Sequence, residues 1–340
     1  MDANAYFSAA HEAFCQAQVQ QGNIQYWYKI GGYIICQRFA GQALIPQMTE
    51  ALSHLQISPC SLADLTICLW DSSSTGIAMP SPPWSVYDYG DRGLVNGYNC
   101  DRFCTLFQVG PDVLHLFDRD RQLALYWVKT AAQIPYWEHS FPLRIALHWW
   151  TRSFPLQLVH AGAVGTQTGC VLLTGKSGSG KSTTTLACLE AGLLYLGDDY
   201  VMIQTEPISS VYSLYNTAKL EASNLWRFPN LANNVSNLER LNCEKALIFL
   251  HNHRPEQLIS HLPIRAVLTL EISHQENSSL QKRSPSESFA ALAPTTTLHL
   301  PRYTKVITQK IAALVNQVPN YRLILGTNLK QIPEAVLSLL

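Results

Sequence analysis

One stretch decides how this chain folds: Gly175-Lys176-Ser177-Gly178-Ser179-Gly180-Lys181-Ser182. Two glycines separated by four residues and followed by Lys and Ser form the pattern of a phosphate-binding loop. The glycines let the backbone turn with its N–H groups pointing inward, where they make a nest for an anion. The residues that we expect to bind the phosphates of a nucleotide are Gly175, Lys176, Ser177, Gly178, Ser179, Gly180, Lys181, Ser182 and Thr183.

The segments on either side of the loop predict a strand before it and a helix after it. Val171–Thr174 is a short apolar run, and Lys181–Ala191 has helical spacing and is followed by Gly192, a residue typical of a helix C-terminus. A helix that begins at the loop adds the positive end of its dipole to the anion site. In this context Lys181 supplies a mobile charge for the terminal phosphates, and the Ser182 hydroxyl is a ligand for Mg²⁺.

A pair of aspartates follows one short helix later, in the stretch Leu193–Val201. A β-α-β crossover would lay this strand parallel to the first, with its C-terminal end beside the phosphates. One carboxylate could then hold Mg²⁺ while the other accepts a proton from an incoming hydroxyl. Adjacent strand residues point to opposite faces, so both reach the site only if the strand ends there, and Gly197 favours such a break. Without the loop, the same pair would be interpreted as a solvated turn.

Outward from this core, the chain divides near residue 150. In residues 153–340 strand and helix patterns alternate, which predicts an α/β domain, and the apolar run Leu156–Val164 predicts one strand that carries His160. Residues 1–152 are expected to form a smaller α+β domain for peptide or partner binding. That half includes a hairpin pattern around Asp118–Arg121, and it contains no chemical motif.

The composition excludes several classes of protein. The 340 residues include 24 basic and 24 acidic side chains; 14% of residues are charged and 47% are hydrophobic. This balance excludes a disordered chain, and it argues against duplex nucleic acid as the main partner, because neutralising phosphates takes a basic excess. No apolar run is long enough for a membrane span, the N-terminus lacks the features of a secretory signal, and the nine cysteines are typical of reduced thiols. We therefore expect a cytoplasmic protein without a membrane partner.

Three segments together resemble a known enzyme family. His160-Ala161-Gly162, Gly175–Thr183 and Gly197-Asp198-Asp199-Tyr200-Val201 are similar to the kinase core of HPr kinase/phosphorylase. The resemblance implies a P-loop kinase core of that type, with ATP and Mg²⁺ as cofactors. It also implies that Asp198 is the general base, that Asp199 binds Mg²⁺ together with Ser182, and that His160 lies near the transferring phosphoryl group.

The resemblance continues outside this core. Pro263–Leu268 is similar to a family segment whose arginine lies in the active site, which implies that Arg265 stabilises charge on the phosphoryl group. The whole stretch from about Gln25 to Leu340 resembles the HPr kinase-like serine kinases found beside ribosomal-peptide gene clusters, including lasso-peptide kinases. The matching pieces are Ile145–Trp150, Ser213–Leu220 and Val318–Leu323. Within these pieces, Lys219 and Arg322 are candidates for contacts with the substrate or the nucleotide. The alternative for both is a surface or structural role.

These observations predict an ATP-dependent kinase that transfers a phosphoryl group to a serine-type hydroxyl of a peptide or protein, such as a ribosomal-peptide precursor. The chain lacks the long glycine-bearing signature of the bifunctional enzymes and does not resemble their N-terminal half, so the acceptor stays open. The alternatives are a small-molecule hydroxyl kinase, a nucleotide-dependent switch or scaffold, and a peptide-binding module with residual nucleotide affinity. The paired aspartates favour a kinase, because a switch needs no second strand carboxylate. The resemblance is also compatible with a homo-oligomer.

Overall fold

The glycine-rich loop at residues 175–180 lies in the second of two units in the computed structural model, which describes residues 1–273 and 275–340. The units span Met1–Ser153 and Phe154–Leu340, and both combine sheets and helices, so the chain is a mixed α/β protein. Within the described residues, no helix has both the length and the apolar character that a membrane crossing requires.

The first unit is built on one seven-stranded sheet. Its strands are β1 (Asn23–Ile30), β2 (Tyr33–Ala40), β3 (Gln56–Ile57), β4 (Leu65–Asp71), β5 (Phe103–Gln108), β6 (Val113–Asp118) and β7 (Leu123–Val128). They lie in the order β3-β1-β2-β4-β7-β6-β5, with parallel pairing of β2 to β4 and of β4 to β7. The helices are α1 (Ala3–Gln21), α2 (Ile45–Thr49), α3 (Ser72–Thr75), α4 (Tyr136–Ser140) and α5 (Arg144–Thr151).

The N-terminal segment forms a full helix because both of its ends are capped and one of its faces is buried. The Asp2 side chain accepts a hydrogen bond from the Ala5 N–H, and Gly22 ends the helix. Tyr6 and Phe14 of α1 are buried in a core that includes Trp70. After α2 the chain tightens into a 3₁₀ helix over Glu50–Leu55.

The second unit contains a nine-stranded sheet and a separate hairpin. Its strands are β8 (Gln157–Val159), β9 (Gly162–Thr166), β10 (Gly169–Thr174), β11 (Leu194–Gly197), β12 (Val201–Gln204), β13 (Ser210–Tyr212), β14 (Thr217–Leu220), β15 (Ala246–Phe249), β16 (His261–Ile272), β17 (Ser279–Lys282) and β18 (Asn320–Leu325). Its helices are α6 (Lys181–Glu190), α7 (Pro229–Ala232), α8 (Pro285–His299), α9 (Thr304–Gln317) and α10 (Gln331–Leu337). Strands β14 and β15 form the hairpin.

The nine-stranded sheet curls so that its two ends meet. Its main path runs β11-β9-β10-β16-β13-β12-β8, while β18 pairs with both β16 and β17. Only His160 and Ala161 separate β8 from β9, and only residues 198–200 separate β11 from β12, although each pair lies at opposite ends of that path. Such short links are compatible only with a sheet whose ends come together, and the two links lie where they do so.

One of the two links differs from the sequence prediction, and the other agrees with it. We expected Leu156–Val164 to be one strand, and it is instead divided at His160. The expected strand break at Gly197 is observed, and the chain then resumes as β12. The Leu156–Val164 run is buried throughout, so its local pattern does not show where the chain changes its neighbours, whereas Gly197 marks the break in the other run.

Candidate active site

The glycine-rich loop joins the end of β10 to the start of α6, as the flanking patterns predicted. Gly180 caps the helix with φ of 97°, a left-handed conformation that side chains disfavour. A Cβ at Gly180 would also lie 2.5 Å from Cδ1 of Leu325 on β18. Glycine at this position is therefore required both by the turn and by the close packing of β18 behind the loop.

Lys181 folds back over the loop. Its Nζ donates to the carbonyl oxygens of Gly175, at 2.8 Å, and of Lys176, at 3.4 Å. The residue is buried, and burial lowers its pKa in spite of the opposing effects of Asp199 and Asp198. The ammonium group is thus held beside the backbone that would surround a phosphate, in a place where its charge is little solvated.

Asp198 lies in the link after β11, where α6 and the hairpin both contact its carboxylate. Thr185 Oγ1 donates to Oδ1 at 3.2 Å, and the Lys219 backbone N–H donates to Oδ2 at 3.1 Å. Burial, and then the negative charge of Asp199, raise the pKa of Asp198 well above its ordinary value, while Lys219, Ser182 and Thr185 offset part of that rise.

Asp199 lies between two basic side chains. His160 Nε2 is 3.6 Å from its Oδ1, and Lys219 Nζ is 3.7 Å from its Oδ2. Burial alone would raise the pKa of Asp199, but the contacts with His160 and Lys219 outweigh burial and hold that pKa well below its usual range. The two neighbouring carboxylates thus have opposite tendencies: Asp199 stays ionised, while Asp198 takes up a proton more readily.

His160 occupies the link between β8 and β9, which directs its side chain out of the strand ladder. Its backbone N–H donates to Thr296 Oγ1 of α8 at 3.1 Å, and its ring centre is 4.9 Å from that of His299, at the end of the same helix. The Tyr200 ring lies 5.2 Å away on the opposite link. The helix and both links therefore fix the imidazole that faces Asp199.

The hairpin adds a third lysine beside the aspartates. In the register of β14 and β15, Leu220 lies opposite Ala246, so Glu221 and Lys245 face one another, and their Oε1 and Nζ atoms are 3.0 Å apart. Burial alone would lower the pKa of Lys245, but Glu221 and the two aspartates outweigh it and raise that pKa. Lys245 thus remains charged beside Glu221, and its pKa responds to the negative charge of the aspartate pair.

Sequence reasoning missed two of these residues. Thr185 lies three residues after Ser182 on the same helix, so it faces the same side, and that spacing was an available signal. Lys245 reaches the site only through the pairing of β14 with β15, whose strands are separated by 25 residues. No local pattern marks that pairing.

The structure does not bring Arg265 or Arg322 to this site. The Arg265 guanidinium donates to the Thr168 carbonyl oxygen at 2.9 and 2.6 Å, at the start of the parallel strands β10 and β16. The glycine-rich loop follows the other end of β10, about 15 Å along the strand. Arg322 joins Glu271 and Gln281 of the neighbouring strands, at 2.7 and 2.8 Å, and so connects three strands of the sheet.

The donor groups fit a nucleotide and a magnesium ion. The loop offers backbone N–H groups, Lys181 and the Ser179 hydroxyl, which is buried and has no partner among the described residues. Ser182, Asp198 and Asp199 offer the oxygen ligands that Mg²⁺ prefers. Across residues 1–273 and 275–340, no group of three or more His, Cys, Asp or Glu side chains could hold a metal. A magnesium ion here would therefore need Ser182 and phosphate oxygens as further ligands, the arrangement usual for this ion.

Comparisons with known proteins show a distant structural similarity of this chain to a solved structure. No protein-family model matches the chain, and no curated protein sequence matches it. Among solved structures, the chain is distantly similar to the Hpr(Ser) kinase/phosphatase from Coxiella burnetii, with 11% identity and a TM-score of 0.31. The match covers 54% of this chain and 93% of that one. At this level of similarity the comparison carries no functional argument.

Proposed function

We propose that this chain is an ATP-dependent phosphotransferase that transfers the γ-phosphoryl group to a serine-type hydroxyl of a peptide or protein. One observation carries the proposal: the β11–β12 link places Asp198 against Thr185 of α6 and Asp199 between His160 and Lys219, beside the glycine-rich loop to which Lys181 is hydrogen-bonded. This combination provides a place for phosphates, ligands for a metal and a carboxylate with a raised pKa.

The loop and α6 bind and orient the nucleotide. Backbone N–H groups of residues 175–180 and the N-terminus of α6 face the phosphates, and Lys181 supplies a charge that needs only to leave its two carbonyl partners. Ser182 and Asp199 would hold Mg²⁺, which neutralises charge on the β- and γ-phosphates when it is bound. His160 acts through Asp199, because its Nε2 faces Oδ1 of that carboxylate and fixes its position.

Asp198 takes the proton from the acceptor. The acceptor oxygen forms a bond to the γ-phosphorus, the bond from that phosphorus to the β–γ bridging oxygen breaks, and ADP leaves with the bonding electrons. The hydroxyl proton passes to Asp198, whose buried environment favours the protonated state. A carboxylate with an ordinary pKa would be a weaker base for this step.

A second assignment of the two carboxylates has support in one contact. Ser182 lowers the pKa of Asp198 and is therefore near that carboxylate, so Ser182 and Asp198 could hold the metal and leave Asp199 as the base. We favour Asp198 as the base because His160 and Lys219 keep Asp199 ionised, which suits a metal ligand. Variants of the two aspartates distinguish these assignments.

The serine-type acceptor rests on the resemblance to kinases of ribosomal-peptide gene clusters, so the test has to include other acceptors. ATP labelled in its γ-phosphate is incubated with Mg²⁺ and serine-containing peptides, free serine or sugars. The proposal predicts label in a peptide, lost in Lys181→Ala and kept in Lys282→Ala, which replaces an exposed lysine of β17. Label in free serine or a sugar alone would favour a small-molecule kinase. Release of label only as inorganic phosphate would favour a nucleotide switch.

A further inference from the structure

Three lysines surround the aspartate pair, and they come from two different parts of the second unit. Lys181 belongs to the loop, whereas Lys219 and Lys245 belong to the β14–β15 hairpin. Lys219 Nζ is 3.7 Å from Asp199 Oδ2, and Lys245 lies at the start of the neighbouring strand, 3.0 Å from Glu221, the residue that follows β14. The hairpin therefore adds positive charge beside the aspartate pair, in addition to that of Lys181.

Two hydrogen bonds between the hairpin backbone and side chains of the β11 region hold the hairpin in this position. The Tyr195 hydroxyl of β11 donates to the Thr217 carbonyl oxygen at 2.6 Å, and the Lys219 N–H donates to Asp198 Oδ2 at 3.1 Å. Tyr195 and Asp198 lie on either side of Gly197, where β11 ends. The start of the hairpin is thus fixed to the same link that carries the aspartates, and Lys219 cannot move away without disturbing Asp198.

The contact between Lys219 and Asp199 changes if Asp199 holds a magnesium ion. The metal then neutralises part of the carboxylate charge. The Lys219 ammonium group, 3.7 Å from that carboxylate, therefore interacts more favourably with another anion whose charge is not neutralised. The terminal phosphate of a nucleotide bound to the loop would be such an anion. Lys245, at the start of the neighbouring strand, is paired with the more exposed Glu221.

We propose that Lys219 and Lys245 form a second phosphate-binding element, which recognises the terminal phosphate of a nucleoside triphosphate. This inference rests on the proposed function and refines it: the hairpin supplies the positive charge that sequence resemblance assigned to Arg265, which lies elsewhere. A consequence is selectivity, because only a triphosphate reaches the hairpin, whereas a diphosphate contacts the loop alone. Lysine suits this task, since it binds phosphate as a flexible point charge.

The experiment measures the affinities of the full-length chain for ATP and ADP by calorimetry, with and without Mg²⁺. Lys219→Met keeps the length of the side chain and removes the charge, so we expect ATP to bind about tenfold more weakly while ADP is nearly unaffected. Lys245→Met should act in the same direction and more weakly, at about threefold. Lys219→Arg should restore most of the preference for ATP. Lys282→Met is the matched control and should leave both affinities unchanged.

Each outcome decides the inference. A selective loss of ATP affinity in both methionine variants supports it. Equal weakening of ATP and ADP, or no change in either, overturns it and assigns the hairpin a structural role. If Lys219→Met fails to fold, an unchanged ratio of ATP to ADP affinity in Lys245→Met overturns it equally well. Wild-type protein that binds both nucleotides equally would reject the inference and leave the kinase proposal to the labelling assay, whereas binding of neither nucleotide would reject both.

Discussion

Gly162 and Asp198 approach so closely that a Cβ on Gly162 would lie 2.9 Å from the Asp198 carbonyl oxygen. The same Cβ would lie 2.9 Å from Cγ2 of Thr185, which hydrogen-bonds the Asp198 side chain. The first residue of β9 is therefore packed against both the backbone that carries the aspartate and the helix that orients it. The position of Asp198 depends on the absence of a side chain at residue 162.

Replacement of Gly162 by alanine should consequently displace Asp198. We expect Gly162→Ala to lower the rate of phosphoryl transfer at least tenfold and to destabilise the fold by about 1–3 kcal/mol, as overpacking usually does. Turnover and chemical unfolding measure the two effects. Gly90→Ala is the control, because its φ is −90° and its Cβ would lie 3.1 Å from the end of the flexible Asn96 side chain and 3.4 Å from the Leu94 carbonyl oxygen, an ordinary contact distance. Wild-type turnover in Gly162→Ala would show that the close approach does not set the geometry of the base.

The two aspartates should differ in what their amide variants lose. Asp198→Asn should slow transfer about 100-fold or more while leaving binding of the Mg²⁺–nucleotide complex nearly intact, since it removes a proton acceptor. Asp199→Asn should raise the Mg²⁺ concentration needed for nucleotide binding about tenfold, since it removes a metal ligand. Turnover and calorimetric titration at several Mg²⁺ concentrations provide the two measurements. The opposite pattern would exchange the two roles, in agreement with the effect of Ser182 on the pKa of Asp198.

Gly180→Ala should destabilise the fold more than Gly192→Ala, although both glycines have a similar positive φ. Gly180 and Gly192, at the two ends of α6, have φ values of 97° and 90°, but only a Cβ at Gly180 meets another side chain, Leu325 at 2.5 Å. Both variants have the backbone strain of about 1 kcal/mol. We expect Gly180→Ala alone to lose a further 1–3 kcal/mol of unfolding free energy, together with nucleotide affinity. Equal losses in the two variants would mean that β18 does not support the loop.

His115 should make the stability of the chain sensitive to acid. It is buried on β6 beside Gln108, and burial, with a smaller effect of Arg144, lowers its pKa from 6.5 to about 3. The folded state thus keeps this imidazole neutral, so its contribution to stability is complete above pH 6.5 and is lost as the pH falls from 6.5 towards 3. The loss approaches about 1.4 kcal/mol per pH unit.

Unfolding free energies of wild type and His115→Gln between pH 6.5 and 4.5 test this linkage. The difference between the two proteins should change by about 2 kcal/mol over this range, in favour of the variant at the acid end. His253→Gln, at an exposed position, is the control and should follow the wild type. Parallel curves for His115→Gln and wild type would show that the imidazole does not resist protonation in the fold.

The sequence was sufficient for the local part of the site. The loop, the strand before it and the helix after it are specified by residues close together in the chain, and glycine positions with forced conformations are readable as a motif. The break after Gly197 could likewise be predicted, because two adjacent carboxylates cannot share one face of a continuous strand.

The parts that depend on long-range pairing could not be predicted. The link at His160 could not be recognised within the mostly apolar run Leu156–Val164, because the link arises only from the pairing of β8 and β9 with different neighbours. Lys245 reaches the aspartates through a hairpin closed across 25 residues. Arg265 illustrates the converse: its segment resembles one with a catalytic arginine, but the register of β16 against β10 places it at the start of the strands.

In the proposed function, phosphate leaves ATP for a hydroxyl acceptor under the control of Asp198. Phosphorus NMR of wild-type protein with ATP, Mg²⁺ and a serine peptide follows every phosphate at once. We expect a phosphoserine resonance that grows in step with ADP, and its loss in Asp198→Asn while ATP remains bound. Conversion of ATP to ADP and inorganic phosphate alone, or an undiminished phosphoserine signal in Asp198→Asn, would contradict it.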